Sequence, residues 1–353
     1  MRRAAGLVAV LLVAVSLWNC RPGNPLSRVP QVGLAPAGLA ERFERPLTWE
    51  WGKFQSPDGA MLRIGSAKPL GGVAKGTVVI LGGYTEFAEK YYETYHDLLT
   101  RGYGVATLDW RGQGGSQRYL PNPQMAHSLG FEHDTADLAA YLQKNTTQPV
   151  YLLAHSMGGN IALRLMHDHP KLVRAAVLSA PAFRIGSRAG MPVWQARTLS
   201  GLMVAAGFGE SYALGQRDWQ FDPQRNAANS PVSHDPDRDP IGPRWFRTRP
   251  ELKVGGGTYR WAYEFYRSCA TIMDPGYLQA IPTPILIGSA GQDTFVDAAA
   301  HAEACAQLRT CRLVTYPQSR HELLAESDSI RKPWLEEIER FLAAYAVIVA
   351  SDQ

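Results

Sequence analysis

From Thr77 onward, the apolar positions of this chain fall into short unbroken runs. Thr77 to Leu81, Gly104 to Leu108, Val150 to Leu153, Ala175 to Leu178 and Pro284 to Ile287 are rich in β-branched and other apolar residues. Runs of this kind suit strands covered on both faces, as in a parallel sheet. Between them, Lys90 to Arg101, His133 to Lys144 and Gly159 to His167 repeat apolar residues at helical spacing, with polar outer faces. The alternation predicts an α/β architecture with right-handed crossovers: a mostly parallel central sheet with helices on both faces. Thr48 to Phe54 and Met61 to Ile64 alternate around the turn signal Pro57-Asp58-Gly59, which predicts an opening β-hairpin. At the other end, a strand over Arg312 to Tyr316 precedes a closing helix over Pro333 to Val347, with Trp334, Ile338, Phe341 and Leu342 on one face.

The pattern breaks at about 182–278, where Trp194, Trp219, Trp245 and Trp261 stand among many Pro, Gly and Arg residues. So many large aromatics are costly to leave in water, so this stretch reads as an inserted cap rather than a disordered loop. The chain is thus expected to divide into an N-terminal segment and linker, 1–42, and one large domain, 43–353, that carries the insertion. Arg2 and Arg3 precede the apolar run Leu7 to Val15, the layout of a secretory signal. Ala14-Val15-Ser16 offers a signal-peptidase site, whereas Cys20 suggests lipidation of a new N-terminus. An uncleaved anchor is the third outcome, although the stretch is short for a bilayer span. All three make the protein membrane-associated or exported. From Arg21 to Ala40 the composition is that of a linker.

Composition narrows the chemistry. A net charge of +4 spread over 353 residues, without a basic block, gives nucleic-acid binding no footing. Hydrophobic residues at 45% and charged residues at 19% describe a globular chain rather than a disordered or multi-span one. The four cysteines, Cys20, Cys269, Cys305 and Cys311, contain no zinc-like pair of pairs. Cys305 and Cys311 read either as a short bridge in an oxidising compartment or as two separate thiols. No metal or cofactor is expected, and His127, His133 and His155 read as packing or loop residues for want of metal-ligand partners.

The reactive residues come from the junctions. Ala154-His155-Ser156-Met157-Gly158-Gly159 lies where a buried strand gives way to a helix. Small residues two before and two after the serine let strand and helix approach, so the tight turn lifts the Ser156 hydroxyl clear of the sheet. A serine hydroxyl is a poor nucleophile near neutral pH, so it needs a base and an acid to orient that base. His321, in the loop after the last strand, is the expected base, while His301 reads as helical and surface-facing. Asp293 follows the Pro284 to Ile287 strand and is the expected acid. Asp297 precedes the alanine-rich Ala298 to Ala304, where capping a helix is its simpler role. The expected oxyanion donors are the N–H groups of Met157 and Tyr84, with Gly83 as the alternative to Tyr84. Asp109 to Ser116 lacks the endings of a nucleotide loop and reads as a structural turn beside the site.

Ala154 to Gly159, Asp109 to Ser116, Lys253 to Trp261 and Ser319-Arg320-His321-Glu322 together resemble the bacterial lysophospholipase branch of the monoacylglycerol lipase-like α/β-hydrolase family. The resemblance covers most of the chain beyond Phe43, and the stretch around Gly255 to Trp261 is its most discriminating part. It implies the α/β-hydrolase fold and cofactor-free hydrolysis of a single acyl ester on a glycerol backbone. It also implies Asp293 as the acid, because the family's acid lies four residues before a second one. The expected substrate is a lipid with one acyl chain, presented at a membrane surface. A monoacylglycerol lipase, a general carboxylesterase and a non-enzymatic lipid-binding protein are the alternatives. The cap's charge is too mild to mark a phosphate site, and Arg260 is its one candidate for a head group.

Overall fold

The computed structural model describes residues 35–185, 191–274 and 276–346. The signal or anchor segment with Cys20 lies outside the described residues. Eight strands form one sheet: β1 Glu50–Gln55, β2 Met61–Ala67, β3 Thr77–Leu81, β4 Gly104–Leu108, β5 Val150–His155, β6 Ala175–Ser179, β7 Ile285–Ala290 and β8 Cys311–Tyr316. Their spatial order is β1-β2-β4-β3-β5-β6-β7-β8, with β1 and β2 antiparallel, β2 antiparallel to β4, and every later pairing parallel. The expected hairpin and mostly parallel sheet are therefore present. From β3 the chain crosses outward to β4 and then returns past β3 to β5, so the order reverses there. A reversal of this kind opens a crevice beyond the carboxyl ends of β3 and β5.

The strands read as unbroken apolar runs because each face feeds a different layer. Val79, Leu81, Leu152, Ala154 and Leu178 pack on one face with α2 (Phe131–Asn145) and α3 (Met157–Asp168). Their neighbours Val78, Ile80, Tyr151, Leu153 and Val177 pack on the other with α1 (Tyr92–Thr100) and the closing helix. Between β6 and β7 lie α4 (Val193–Ala205), α5 (Ile241–Thr248) and α6 (Tyr259–Ile272). Trp245 is buried there, and Trp219 packs edge-on against Phe246. The exposed large hydrophobics concentrate here too, at Trp194, Leu202, Phe208, Leu214 and Phe221. A disulfide joins Cys305 on α7 (Ala299–Gln307) to Cys311 on β8, which decides between the two readings of these cysteines.

Three expectations shift. Leu39 is buried and Arg244 binds the carbonyls of Ala37 and Gly38, so packing begins inside the stretch read as linker. The closing helix, α8 (Asp328–Ala344), starts earlier than Pro333, which lies within it. Proline removes one N–H from the helix, but the burial of Trp334, Leu335 and Ile338 against the sheet carries the segment through. His301 is fully buried rather than surface-facing: its ring nitrogens meet Ser289 Oγ at 2.8 Å and the Pro181 carbonyl at 2.9 Å. Among the described residues no helix is long and apolar enough to cross a membrane.

Candidate active site

Ser156 sits between the end of β5 and the start of α3, at φ 51° and ψ −117°. A non-glycine residue pays about 1–3 kcal/mol to stay there, so the surrounding structure must hold it. The turn is tight because glycines let its neighbours approach. A Cβ on Gly158 would lie 2.5 Å from the Leu81 carbonyl oxygen, and one on Gly83 would lie 3.0 Å from Ser156 Cβ. The loop after β3 therefore runs directly beside the serine.

Residues far apart in sequence meet at this turn. His321 Nε2 lies 3.0 Å from Ser156 Oγ, and His321 Nδ1 lies 2.6 Å from Asp293 Oδ2. The other Asp293 oxygen accepts the Phe295 and Val296 N–H groups at 2.8 and 3.1 Å. Burial works against charge on Asp293, but the hydrogen bond and charge of His321, with the two amides, outweigh it and hold the carboxyl below its ordinary value. Asp297 instead pairs with Arg184 at 2.9 Å and accepts the Ala299 N–H at 3.0 Å. Such an arrangement can pass a proton from hydroxyl to imidazole while the carboxylate fixes the tautomer.

The remaining sequence candidates fall into place around it. Met157 opens α3, so its N–H has no carbonyl one turn back to take it. The Gly83 N–H donates to Glu86 Oε2, which engages the alternative donor elsewhere. Tyr84 is held from outside: its hydroxyl donates to the Gly255 carbonyl at 2.9 Å, and its ring packs 4.3 Å from that of Trp261. The motif around Gly255 to Trp261 thus braces the loop beside the serine. Gln113, in the turn Asp109 to Ser116, braces the same loop by accepting the Thr85 N–H at 2.5 Å and donating to the Gly83 carbonyl at 3.3 Å. Arg260 faces Glu264 at 3.6 Å and is not among the residues that line the cavity. His127 bonds Thr258 Oγ1 at 3.0 Å, and burial first, then Arg260, brings its pKa down to about 4. His133 is partly exposed, 3.7 Å from Asp58.

One partly buried network had no sequence expectation. Lys90 Nζ lies 2.6 Å from Glu86 Oε1 and 2.6 Å from Glu322 Oε1. His155 joins them, its ring 4.7 Å from that of His321, its Nδ1 3.0 Å from the Ser179 carbonyl oxygen. Burial and the neighbouring His321 depress the His155 pKa despite the pull of Glu86, so His155 is neutral at neutral pH. The ligand atoms of Glu86, His155 and Glu322 lie within 4.8 Å of one another, yet both carboxylates already share the Lys90 ammonium. The spacing of Glu86 and Lys90, four apart just after the glycine loop, was the available signal; Glu322 on the far loop had none.

Ser156 and His321 line a cavity of about 430 Å³ whose walls include Leu199, Trp219, Phe246, Trp261, Phe265 and Phe295. That volume falls within the range of small-molecule sites, and its walls are mainly apolar. The profile of the family described as Serine aminopeptidase, S33 matches residues 72–328, which span the sheet from β3 onward and all three residues of the hydrogen-bonded line. The chain belongs to this α/β-hydrolase family. Lysophospholipase L2 of Escherichia coli is 34% identical over 278 residues, 75% of this chain and 79% of that protein. A probable lysophospholipase L2 of Haemophilus influenzae is 29% identical over 269 residues, 75% of this chain and 83% of that one. Among solved structures, a soluble variant of monoglyceride lipase from Saccharomyces cerevisiae superposes with a TM-score of 0.66 at 19% identity, covering 87% of this chain and 99% of the other. At that identity the likeness bears on the fold alone.

Proposed function

We propose that this protein is a serine ester hydrolase that removes the single acyl chain of a lysophospholipid. The observation that carries the reading is the line Ser156–His321–Asp293, hydrogen-bonded throughout and opening on an apolar cavity. Ser156 Oγ attacks the acyl carbonyl as its proton passes to His321 Nε2. Asp293 steadies the imidazolium, and the N–H groups of Tyr84 and Met157 receive the oxyanion. Collapse breaks the ester C–O bond, and the glycerol oxygen leaves with the proton held by His321. Water then attacks the acyl-serine, gives its proton to His321 and frees the fatty acid, and Ser156 recovers that proton.

The apolar walls suit the chain end of such a substrate, since each buried methylene contributes about 0.8 kcal/mol. An aminopeptidase, which the family's description mentions, needs a carboxylate to receive the substrate's ammonium. Glu86 and Glu322 are both paired with Lys90, and Asp239 is paired with Arg225, so these lining acids are engaged. The second reading is a monoacylglycerol lipase or general carboxylesterase, favoured by the place of Arg260 outside the cavity lining.

Turnover of lysophosphatidylcholine, a monoacylglycerol and short-chain esters by wild type and Ser156→Ala separates the two. The proposal expects the lysophospholipid to turn over fastest and the variant to be inactive. Activity on short esters alone defeats it. A fluorophosphonate that fails to label folded wild-type protein favours a lipid-binding protein instead.

The same reading includes export and work at a membrane surface. The Cys305–Cys311 disulfide supports an oxidising compartment, in keeping with the charged and apolar start of the sequence. The exposed Trp194, Leu202 and Phe208 support contact with lipid. Joint replacement of these three by Ser is expected to weaken sedimentation with phospholipid vesicles; unchanged binding counts against that contact.

A further inference from the structure

The Lys90 side chain is largely shielded from water, 18% exposed, and it stands between two loops that the chemistry needs in register. Glu86 belongs to the loop beside Ser156, and Glu322 follows His321 directly. Taking an ammonium and two carboxylates out of water costs several kcal/mol per ion before their attraction repays it. Apolar side chains of similar size would fill this space at lower electrostatic cost, so the charges call for an account beyond packing.

The bonds supply one. One Glu86 oxygen takes Lys90, while the other takes the Gly83 N–H together with the Tyr91 hydroxyl at 2.5 Å. Holding the Gly83 N–H toward Glu86 fixes the Gly82–Gly83 peptide, one unit before the peptide whose Tyr84 N–H is the proposed oxyanion donor. Glu322 takes the same ammonium at 2.6 Å and donates its own N–H to the Val232 carbonyl at 2.9 Å. A single cation therefore bridges the donor loop and the base loop, with Lys90 and Glu322 232 residues apart in sequence.

We infer that Lys90 is a positioning residue for the reaction proposed above, locking the loop of Gly83 and Tyr84 in register with the loop of His321. It acts through Glu86 and Glu322 and touches no reacting atom. Without the ammonium the two carboxylates face each other unbalanced, Glu86 moves, and the Tyr84 N–H drifts from the oxyanion position. Deleting an oxyanion donor outright costs about 100- to 1000-fold in kcat, so misplacing one is expected to cost about 10- to 100-fold.

The inference rests on the serine-hydrolase reading, and its test keeps the two apart. The rate at which a fluorophosphonate labels Ser156 reports the assembled site whichever ester is the natural substrate. Wild type, Lys90→Met, Lys90→Arg and Glu322→Gln are compared for labelling rate, for kcat and KM on a short-chain ester, and for thermal unfolding. Lys90→Met is expected to label about 10- to 100-fold more slowly and to lose kcat by a similar factor, with KM within about threefold. Lys90→Arg is expected to recover most of the rate, and Glu322→Gln to show a smaller loss of the same kind. Wild type that does not label overturns the hydrolase reading. Wild type that labels beside a folded Lys90→Met that labels equally fast overturns the positioning role. If Lys90→Met does not fold, Glu322→Gln decides: full kcat in that variant overturns the inference.

Discussion

Replacing Asp293 by Asn tests the site most sharply, because it changes one atom and leaves the shape. In the native site one Asp293 oxygen receives two backbone N–H groups, at 2.8 and 3.1 Å, and the other receives His321 Nδ1 at 2.6 Å. An asparagine keeps its oxygen on the two amides, since its NH2 cannot accept them. The NH2 then faces His321 Nδ1 and donates, so Nδ1 must accept and the ring proton moves to Nε2. Nε2 is the atom 3.0 Å from Ser156 Oγ, and once protonated it cannot take the serine's proton. The loss of base and of charge stabilisation together is expected to lower kcat about 1000- to 10,000-fold, equivalent to about 4–5.5 kcal/mol in the barrier. Asp297→Asn supplies the contrast. Its partner Arg184 is well exposed, such a pair contributes about 0–1 kcal/mol, and Asn serves the Ala299 N–H as well as Asp does. That variant is expected to keep kcat within about threefold. Hydrolysis of a chromogenic short-chain ester, with the rate of fluorophosphonate labelling and a thermal melt, reads both variants. Asp293→Asn with more than about a tenth of wild-type kcat, or Asp297→Asn impaired as deeply, refutes the tautomer argument.

Other outcomes follow from the same structure. Ser156→Gly, though inactive, is expected to be about 1 kcal/mol more stable than Ser156→Ala in denaturant melts, because glycine adopts φ 51° without a side-chain clash. His127 is buried and neutral in the fold with a pKa near 4, whereas the unfolded chain takes a proton at its ordinary 6.5. Its contribution to stability is therefore complete above about 6.5 and falls away as pH drops toward 4, amounting to a loss of about 2 kcal/mol by about pH 5. Urea unfolding of wild type and His127→Gln at neutral pH and near pH 5 is expected to show a shallower decline in the variant. Joint Cys305→Ser and Cys311→Ser substitution removes a bridge of sequence separation 6 and is expected to cost about 2 kcal/mol of stability with kcat at room temperature unchanged.

The strands were legible because parallel strands covered on both faces leave apolar runs, and the serine turn because Gly158 and the small Ala154 mark a close approach. His321 and Asp293 were legible by position, each following a strand on the same edge of the sheet. His301 was not: its alanine-rich surroundings resemble a surface helix, and only the folded chain brings Ser289 and the Pro181 carbonyl to its ring. The start of α8 was hidden by Pro333, a residue that reads as a helix opening until Trp334 and Ile338 are seen packed on the sheet. The Lys90 network was invisible for a different reason. Half of it is a pair four residues apart, a spacing common on protein surfaces, and the half that gives it meaning arrives from the far end of the chain.

The grip of Tyr84 on Gly255 and Trp261 makes the insertion a mechanical part of the candidate site as well as a wall of its cavity. A graft that exchanged 182–278 for the corresponding piece of another hydrolase would remove the outer prop of the loop beside Ser156. Turnover would then change together with the choice of ester, and chimeras ranked by substrate preference alone would misattribute a slower chemical step to poorer fit.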